Sequence, residues 1–411
     1  MSNLTVDEQV DLLMNGTEFG DEQTKEHMRE ELRERLVEAE KSGEPLRVYC
    51  GYDPTAPDIH LGHTVTMRKL RQFQKLGHQA IFLIGTFTGL IGDPSDKDKA
   101  RPRRTPEEIK ENAQTYVEQA YRILDPEETE VRYNADWLSK LTFEDVIGLS
   151  AHFTVQQFLS RDNFSKRYKE GSPIWLHEFF YALMQGYDAV ALETDAQLGA
   201  TEQLFNLMAG RKLQEHFGQK PQVCLTFPIL VGTDGKERMS KSTGNYVGVD
   251  ESPEDKYGKT MSLPDEAMRN WFELLTRWEP EQIDELLHAV EEGKIHPMEA
   301  KKQLAWEIVS IFDGDEAANR AAKHFERVHQ QRKLPENIET VLLSEPKNVV
   351  DIIYDAEFTR SKSQARRLVQ QGAVRLDGEK IKDVGADIEV EPGEEKIFRV
   401  GKRRFLRLVA E

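Results

Sequence analysis

Residues 46–70 of the chain read LRVYCGYDPTAPDIHLGHTVTMRKL. The first five form a largely apolar run typical of a buried β-strand, and a turn rich in Gly, Pro and Asp follows them. From residue 62 to residue 76 apolar side chains recur at helical spacing, with Val65, Leu70 and Phe73 on one side. The stretch therefore predicts a strand, a turn and a helix in that order.

The same alternation continues along the chain. Apolar runs at residues 80–84 and 223–227 predict two further buried strands, and a Gly-rich turn at 85–93 follows the first of them. Thr105 opens a helix that runs to about Leu124. Strands separated by helices predict an α/β fold, a Rossmann-like parallel sheet with helices on both faces. Ligands of such sheets bind at the carboxyl ends of strands, which are the turns after the first two predicted strands.

Length and composition predict more than one domain. The chain has 411 residues, more than one hydrophobic core usually holds. We predict a catalytic domain over 1–230 with a helical arm at 1–44, and a mainly helical domain over 231–334. A linker at 335–347 and a small α+β domain at 348–411 follow. Helices of the middle domain are predicted at 271–278, 280–292, 297–312 and 316–330.

The charge and the cysteines narrow the class of protein. The net charge is −18, which argues against a sequence-blind nucleic-acid coat. Two cysteines are too few for a disulfide framework. The first residues lack a basic end followed by an apolar run, and no apolar stretch is long enough to cross a bilayer. We therefore predict a cytoplasmic protein without a membrane partner.

The first chemical motif is the turn from residue 53 to residue 63. It gathers Thr55, His60, Gly62 and His63 where a helix N-terminus presents N–H groups, which favours a phosphate ligand. A histidine pair alone is more often structural, and a zinc site would need a third ligand nearby. We therefore predict no tightly bound metal.

The second motif is Arg238-Met-Ser-Lys-Ser242, in a polar loop that contains glycine. A Lys/Ser-rich loop alone is usually only solvated. Together with the earlier His-x-Gly-His turn, however, it resembles the paired signature of class I aminoacyl-tRNA synthetases. Tyr181, Gln185 and Asp188 are spaced by four and then three residues, which places them on one face of a predicted helix. This arrangement makes the chain similar to the bacterial tyrosyl-tRNA synthetases. The resemblance covers residues from about 48 to 245 and the last sixty.

This resemblance implies activation of L-tyrosine with ATP, followed by transfer of tyrosine to the 3′ end of a tRNA. It implies that Tyr49 and Asp188 hold the phenol, while Asp93, Tyr181 and Gln185 hold the ammonium group. Thr88, Asn134 and Trp137 match further pocket positions. A phenol is distinguished from phenylalanine by buried groups that lose a partner when the hydroxyl is missing, and tyrosyl-tRNA synthetase is itself the standard example.

ATP is implied as a substrate, with Mg²⁺ accompanying it. Catalytic roles fall to Thr55, His60, His63, Arg238 and Lys241. The residues implied to bind ATP are Cys50, Gly51, Asp53, Gly62, Gly199, Glu202, Gln203 and Ser242. Three positions in these regions depart from the family pattern, since Ala200 and Glu202 replace a Gly and an Asp, and Arg238 stands in place of Lys.

The C-terminal domain resembles a small RNA-binding fold that these synthetases share with a ribosomal protein. Residues 348–411 carry 13 Lys/Arg and 12 Asp/Glu, a charge of +1 beside −19 for the remainder, which favours RNA phosphates. The predicted RNA-binding residues are Lys362, Arg366, Arg367, Arg403 and Arg404. A weaker prediction places Lys97, Lys99, Arg101, Arg103 and Arg104 against the acceptor stem. The resemblance also implies a homodimer.

Two alternatives stay open at the level of the sequence. A tryptophanyl-tRNA synthetase would share the scaffold, although Tyr49 with Asp188 argues against an indole. A related protein that has lost activation and only binds RNA would retain the fold. Intact His60, His63 and Lys241 argue against that alternative, while Ala200 and Glu202 leave it open.

Overall fold

The computed structural model describes residues 4–94, 105–330, 338–359, 361–391, 393–401 and 404–410. The chain divides into two compact units, Met1–Ala318 and Asn319–Glu411. Some predicted RNA-binding residues lie outside the described residues, namely Lys97, Lys99, Arg101, Arg103, Arg104 and Arg403. No helix within the described ranges is long and apolar enough to cross a membrane.

The first unit is built on a parallel sheet of five strands. The strands are β1 (Arg47–Tyr52), β2 (Gln79–Ile84), β3 (Thr129–Tyr133), β4 (Ala196–Ala200) and β5 (Val223–Phe227). Their order in the sheet is β3-β2-β1-β4-β5, and every neighbouring pair is parallel. The predicted Rossmann-like sheet is thus confirmed. Because the chain leaves β1 toward β3 and returns to β4 on its other side, a crevice opens between the carboxyl ends of β1 and β4.

Two of the five strands were not predicted. β3 reads TEVRY, and its residues are half-buried or exposed at the edge of the sheet. It therefore shows no apolar run. β4 reads AQLGA and is largely buried, but Gly, Ala and Gln have low strand preference, so its burial comes from neighbouring elements.

Helices cover the sheet and form the rest of the unit. Two in the N-terminal arm are α1 (Val6–Met14) and α2 (Glu22–Ser42), and α2 buries Met28, Leu32 and Leu36. The others are α3 (Leu61–Lys75), α4 (Pro106–Ala120), α5 (Ala135–Leu138), α6 (Phe143–Ser150), α7 (Val155–Leu159), α8 (Asp162–Lys169), α9 (Leu176–Leu192), α10 (Leu204–His216), α11 (Pro253–Met261), α12 (Met268–Leu275), α13 (Pro280–Glu291) and α14 (Pro297–Asp313). The boundary between the two units falls within α15 (Asp315–Phe325).

One buried ion pair fixes the start of α9, the helix that carries three predicted tyrosine-binding residues. The Arg167 guanidinium of α8 donates to both oxygens of Glu178 at 2.6 and 2.8 Å, and both side chains are buried. Glu178 also accepts from the backbone N–H of Trp175 at 2.8 Å. A paired arginine and carboxylate with these further bonds can be buried without leaving a charge unsatisfied.

The second unit contains a mixed five-stranded sheet. Its strands are β6 (Glu339–Leu343), β8 (Val374–Leu376), β9 (Glu379–Ile381), β11 (Glu395–Val400) and β12 (Arg404–Ala410), in the order β6-β12-β11-β8-β9. A small pair joins β7 (Lys347–Asn348) to β10 (Asp387–Ile388), and the helices are α16 (Val349–Asp355) and α17 (Lys362–Gln370). The described part of the predicted linker contains β6, which pairs in parallel with β12 and so belongs to this sheet.

Candidate active site

The carboxyl ends of β1 and β4 border a cleft of about 540 Å³ with a smaller pocket beside it. Asp53, Tyr181 and Gln203 line both depressions. The small pocket holds six of the predicted or matched tyrosine-binding residues, namely Tyr49, Thr88, Asn134, Tyr181, Gln185 and Asp188. The larger cleft holds every predicted catalytic and ATP-binding residue, together with Asp93. Residues far apart in the sequence are thus brought to one edge of the sheet.

Asp188 is a buried carboxyl on α9. It is 2% exposed and accepts hydrogen bonds from the indole N–H of Trp137 at 2.8 Å and the amide of Asn134 at 3.2 Å. Burial raises the pKa of Asp188 to about 8, although these two donors act in the opposite direction. The carboxyl therefore sits where a hydrogen-bonding ligand would relieve part of its desolvation.

Tyr49 shares this pocket and is fully buried on β1. Gln222 is its hydrogen-bonding neighbour and lowers the pKa of the Tyr49 phenol, but within the described part of the chain the hydroxyl makes no hydrogen bond of normal geometry. Burial raises the pKa of the Tyr49 phenol well above its ordinary value, and the Asp188 charge adds to the effect. A buried hydroxyl without such a bond is rare in folded proteins and indicates a polar ligand or water at that position.

A chain of hydrogen bonds joins the pocket to the first motif. Thr88 donates to Asp53 Oδ1 at 2.7 Å and accepts from the Asn134 amide at 3.0 Å. The same amide bonds to Asp188, and Tyr181 donates to Asp53 Oδ2 at 3.0 Å. Gly85 makes room for this chain, because a Cβ there would stand 2.0 Å from Asp53 Oδ1.

Each of the predicted ammonium-binding residues forms a hydrogen bond with a residue outside that set. Asp93 accepts from the Gln203 amide at 3.0 Å, and the Tyr181 hydroxyl is directed to Asp53. Gln185 accepts from the Asn206 amide at 3.1 Å. Asp93 and Tyr181 both line the large cleft, whereas Gln185 lines the small pocket.

The two histidine rings lie against each other at the N-terminus of α3, with centroids 3.8 Å apart and ring planes tilted by 33°. Burial lowers the pKa of His63 to about 3 and that of His60 well below its ordinary value, with the nearby Lys241 and Arg238 charges adding to both shifts. Each Nδ1 accepts a backbone N–H, from Gly62 for His60 and from His60 for His63. Both rings are therefore neutral at pH 7 and carry their proton on Nε2, which makes them donors toward the cleft.

The signature loop, residues 236–245 with the second motif, borders the cleft with the side chains of Arg238 and Lys241. Arg238 donates to Glu202 Oε1 at 2.6 Å, and the Lys241 ammonium donates to the backbone carbonyl of Asp58. Two positions that depart from the family pattern are thus ion-paired with each other. Glu202 is one methylene longer than the Asp of the family pattern, and Arg238 carries a forked guanidinium where the family has a Lys ammonium.

Gly232 gives room to the Asn245 side chain, which holds this loop in shape. In the structure a Cβ at Gly232 would stand 2.1 Å from the Asn245 amide, so that glycine gives room to Asn245. Asn245 in turn accepts from the Ser240 N–H at 2.8 Å and holds the loop's shape. Gly235 and Gly244 adopt positive φ.

Sequence reasoning missed several residues of the cleft and the pocket. Tyr52 and Ser240 line the cleft, and Gln197 lines the pocket. Tyr52 ends β1 and could have been found from its position at the carboxyl end of a predicted strand. Gln197 lies on β4, which its sequence does not reveal as a strand.

The predicted RNA-binding residues lie in the second unit. Arg366 and Arg367 are exposed on α17, and Lys362 on the same helix pairs with Asp351 at 2.8 Å. Arg404 donates to the backbone carbonyl of Phe358 and lies over the ring of that residue.

Comparison with known proteins agrees with this geometry. The sequence model of the family described as tRNA synthetases class I (W and Y) matches residues 41–330, so the chain is a class I aminoacyl-tRNA synthetase. A second model, described as the tyrosine–tRNA ligase SYY-like C-terminal domain, matches residues 330–408. The chain belongs to the tyrosine–tRNA ligase family.

Individual relatives carry the same name. The tyrosine–tRNA ligase of Thermotoga maritima is 49% identical over 91% of this chain and 93% of its own. That of Moorella thermoacetica is 49% identical over 92% of each. Among solved structures, tyrosyl-tRNA synthetase from Archaeoglobus fulgidus complexed with L-tyrosine gives a TM-score of 0.59 at 25% identity, covering 77% of this chain and all of that one.

The buried Asp188 carboxyl predicts a pH dependence of stability. Its pKa is raised in the folded chain, so its stabilising contribution is complete below about pH 4 and is lost as pH rises to about 8. The loss approaches about 1.4 kcal/mol per pH unit in that window. Asp188→Asn removes this titration, so the stability of the variant relative to wild type should increase with pH in urea denaturation series.

Asp145→Asn is the matched control. That carboxyl is exposed and its pKa is lowered by bonds from Thr142, so its titration falls below the window. Parallel stability curves for wild type and Asp188→Asn between about pH 5 and pH 8 would contradict the assignment of a raised pKa to Asp188.

Proposed function

We propose that this chain joins L-tyrosine to its tRNA in two steps at the cleft and the pocket. The tyrosine carboxylate attacks the α-phosphate of ATP, forming tyrosyl-adenylate and releasing pyrophosphate. The adenylate then passes tyrosine to the 3′ end of the tRNA. The observation that carries the proposal is that the buried Tyr49 and the Asp188 carboxyl line one small pocket, which shares lining residues with the larger cleft of His60 and His63.

The small pocket suits the phenol of the substrate. A substrate hydroxyl can donate to Asp188 and accept from Tyr49, which leaves both buried groups satisfied. Phenylalanine would supply neither hydrogen bond, so Asp188 would keep only its Trp137 and Asn134 donors and Tyr49 would gain no partner from the ligand. That desolvation cost is the physical source of discrimination. Asp93 lines the adjoining cleft and supplies a carboxylate for the substrate ammonium. The bound L-tyrosine of the Archaeoglobus fulgidus structure supports this class of ligand.

The cleft suits ATP, with Mg²⁺ accompanying the nucleotide as part of the substrate. No general base is needed, because the attacking carboxylate is already ionised. Catalysis then depends on positioning and on stabilising the charge that builds on the phosphates. Neutral His60 and His63 donate from Nε2 at the helix N-terminus, with Thr55 beside them, while Arg238 and Lys241 face the departing pyrophosphate.

The ribose side of the cleft differs from the family pattern. Glu202 is committed to Arg238 by their 2.6 Å contact, and Gly199 gives room to Leu207 of α10. We infer that Glu202 holds the loop through Arg238 as well as bordering the ribose.

The remaining partners follow from the family. We infer that exposed Arg366 and Arg367 of α17 contact tRNA phosphates, and that the enzyme works in the cytoplasm as a homodimer. The 330–408 match to a tyrosine–tRNA ligase C-terminal domain supports the first inference.

The test is ATP–pyrophosphate exchange with tyrosine, tryptophan and phenylalanine run in parallel. Exchange with tyrosine alone is expected, because only tyrosine satisfies both buried groups of the pocket. Exchange with tryptophan instead would overturn the pocket assignment. No exchange with any of the three would indicate an RNA-binding relative that has lost activation.

The role of the signature loop gives a separate prediction. Lys241→Ala should slow tyrosyl-adenylate formation about hundredfold in a single-turnover assay, because the variant lacks one charge that stabilises the departing pyrophosphate. Tyrosine affinity, measured by equilibrium binding, should change little. Lys236→Ala removes an exposed cation from the same loop and should leave the rate intact. An unchanged rate for Lys241→Ala would exclude the proposed role.

A further inference from the structure

The sheet of the second unit carries a row of cations and one aromatic ring. Arg399 of β11 stands directly opposite Arg375 of β8 and Phe405 of β12. Arg375 stands in turn opposite Lys380 of β9. The register therefore aligns four side chains across four strands, in the order Lys380, Arg375, Arg399 and Phe405.

This row occupies the face of the sheet away from the helices. Phe398, Val400 and Leu406, which alternate with the row along β11 and β12, are buried in a core with α16 and α17. Successive side chains of a strand lie on opposite faces, so Arg399 and Phe405 belong to the other face. That face is separate from Arg366 and Arg367, the residues proposed above for tRNA.

Three cations in directly opposing positions cost stability, because like charges across a strand pair repel. Two neighbouring cations on these strands are each paired with a carboxylate. Arg407 pairs with Glu395 at 3.6 Å, and Lys396 pairs with Glu394 at 3.3 Å. Within the described residues the three cations of the row form no such pair with a carboxylate. No carboxylate of the described residues therefore offsets the repulsion among these three cations. An anionic ligand bound to the row would offset it.

The row also forms a shaped site. It borders a depression of about 490 Å³ lined by Arg375, Arg399 and Phe405. Arg375 donates to the carbonyl of Gly378 at 2.6 Å, and Arg399 donates through Nε to the carbonyl of Gly401 at 2.8 Å. These bonds fix the guanidinium groups, and Arg399 lies over the Phe405 ring at 5.3 Å.

We propose that this face binds unpaired nucleotides of the tRNA. One base stacks on Phe405, and the adjoining phosphates bind Arg375, Arg399 and Lys380. An aromatic ring beside a line of cations is the arrangement that recognises single-stranded nucleic acid, because the ring stacks with any base while the cations follow the backbone. The identity of the RNA rests on the proposed function, whereas the site itself does not.

The test uses the full chain and a transcript of tRNA for tyrosine. The double variant Arg375→Gln/Arg399→Gln should weaken tRNA binding and reduce the slope of log affinity against log salt by about 0.7 for each phosphate that is no longer neutralised. Phe405→Ala should weaken binding about tenfold with the salt slope unchanged, because stacking carries no charge. Phe405→Tyr keeps the ring and should bind as wild type does.

Lys396→Gln is the matched control, since it removes one cation from the other face of β11. It should leave binding unchanged. Tyrosine-dependent pyrophosphate exchange should be equal in all variants, which also shows that the first unit is folded, and circular dichroism melting checks the second. Wild-type tRNA affinity in the double variant and in Phe405→Ala would overturn the proposal. Absence of exchange in the wild-type chain would instead overturn the proposed function.

Discussion

The hydrogen-bond chain from Asp53 through Thr88 and Asn134 to Asp188 is the constraint on which the rest of the site depends. It links three strand ends to α9, because its members follow β1, β2 and β3 and end on that helix. Each buried polar group of the chain satisfies another, so none can move alone without leaving a partner unsatisfied. The hydrogen-bond chain therefore fixes the small pocket, proposed above for tyrosine, relative to the turn of the first motif, proposed for the phosphates, as an in-line attack would require.

Burial sets the protonation states of the acidic groups in the small pocket and of the histidines in the cleft. It raises the pKa of Asp188 to about 8 and that of Tyr49 well above its ordinary value, which suits the hydrogen bonds with a phenol proposed above. It lowers the pKa of His63 to about 3, so that imidazole is neutral at pH 7, as its proposed role as a donor to phosphate requires. Burial thus raises the pKa of the acidic groups in the pocket and lowers the pKa of the histidines in the cleft, because it disfavours the charged form of each.

The sequence predicted those parts of the fold that local patterns encode. The apolar runs of β1, β2 and β5, the turn with His60 and His63, and the loop with Lys241 all lie where the sheet brings them to one edge. β3 and β4 escaped prediction because an edge strand and a Gly/Ala strand owe their state to neighbours. The Arg238–Glu202 ion pair and the row opposite Arg399 depend on tertiary contact and strand register, which no local pattern contains.

The most direct measurement is the effect of Thr88→Val on pyrophosphate exchange, with Thr86→Val as control. The Thr88 hydroxyl bonds to both Asp53 and Asn134, whereas the Thr86 hydroxyl accepts from the N–H of Ala135. If the hydrogen-bond chain couples the small pocket to the large cleft, Thr88→Val should raise the KM for tyrosine and the KM for ATP together, each about tenfold. Thr86→Val should change neither KM. A Thr88→Val enzyme with both KM values at the wild-type level, or with only one of them raised, would contradict the coupling.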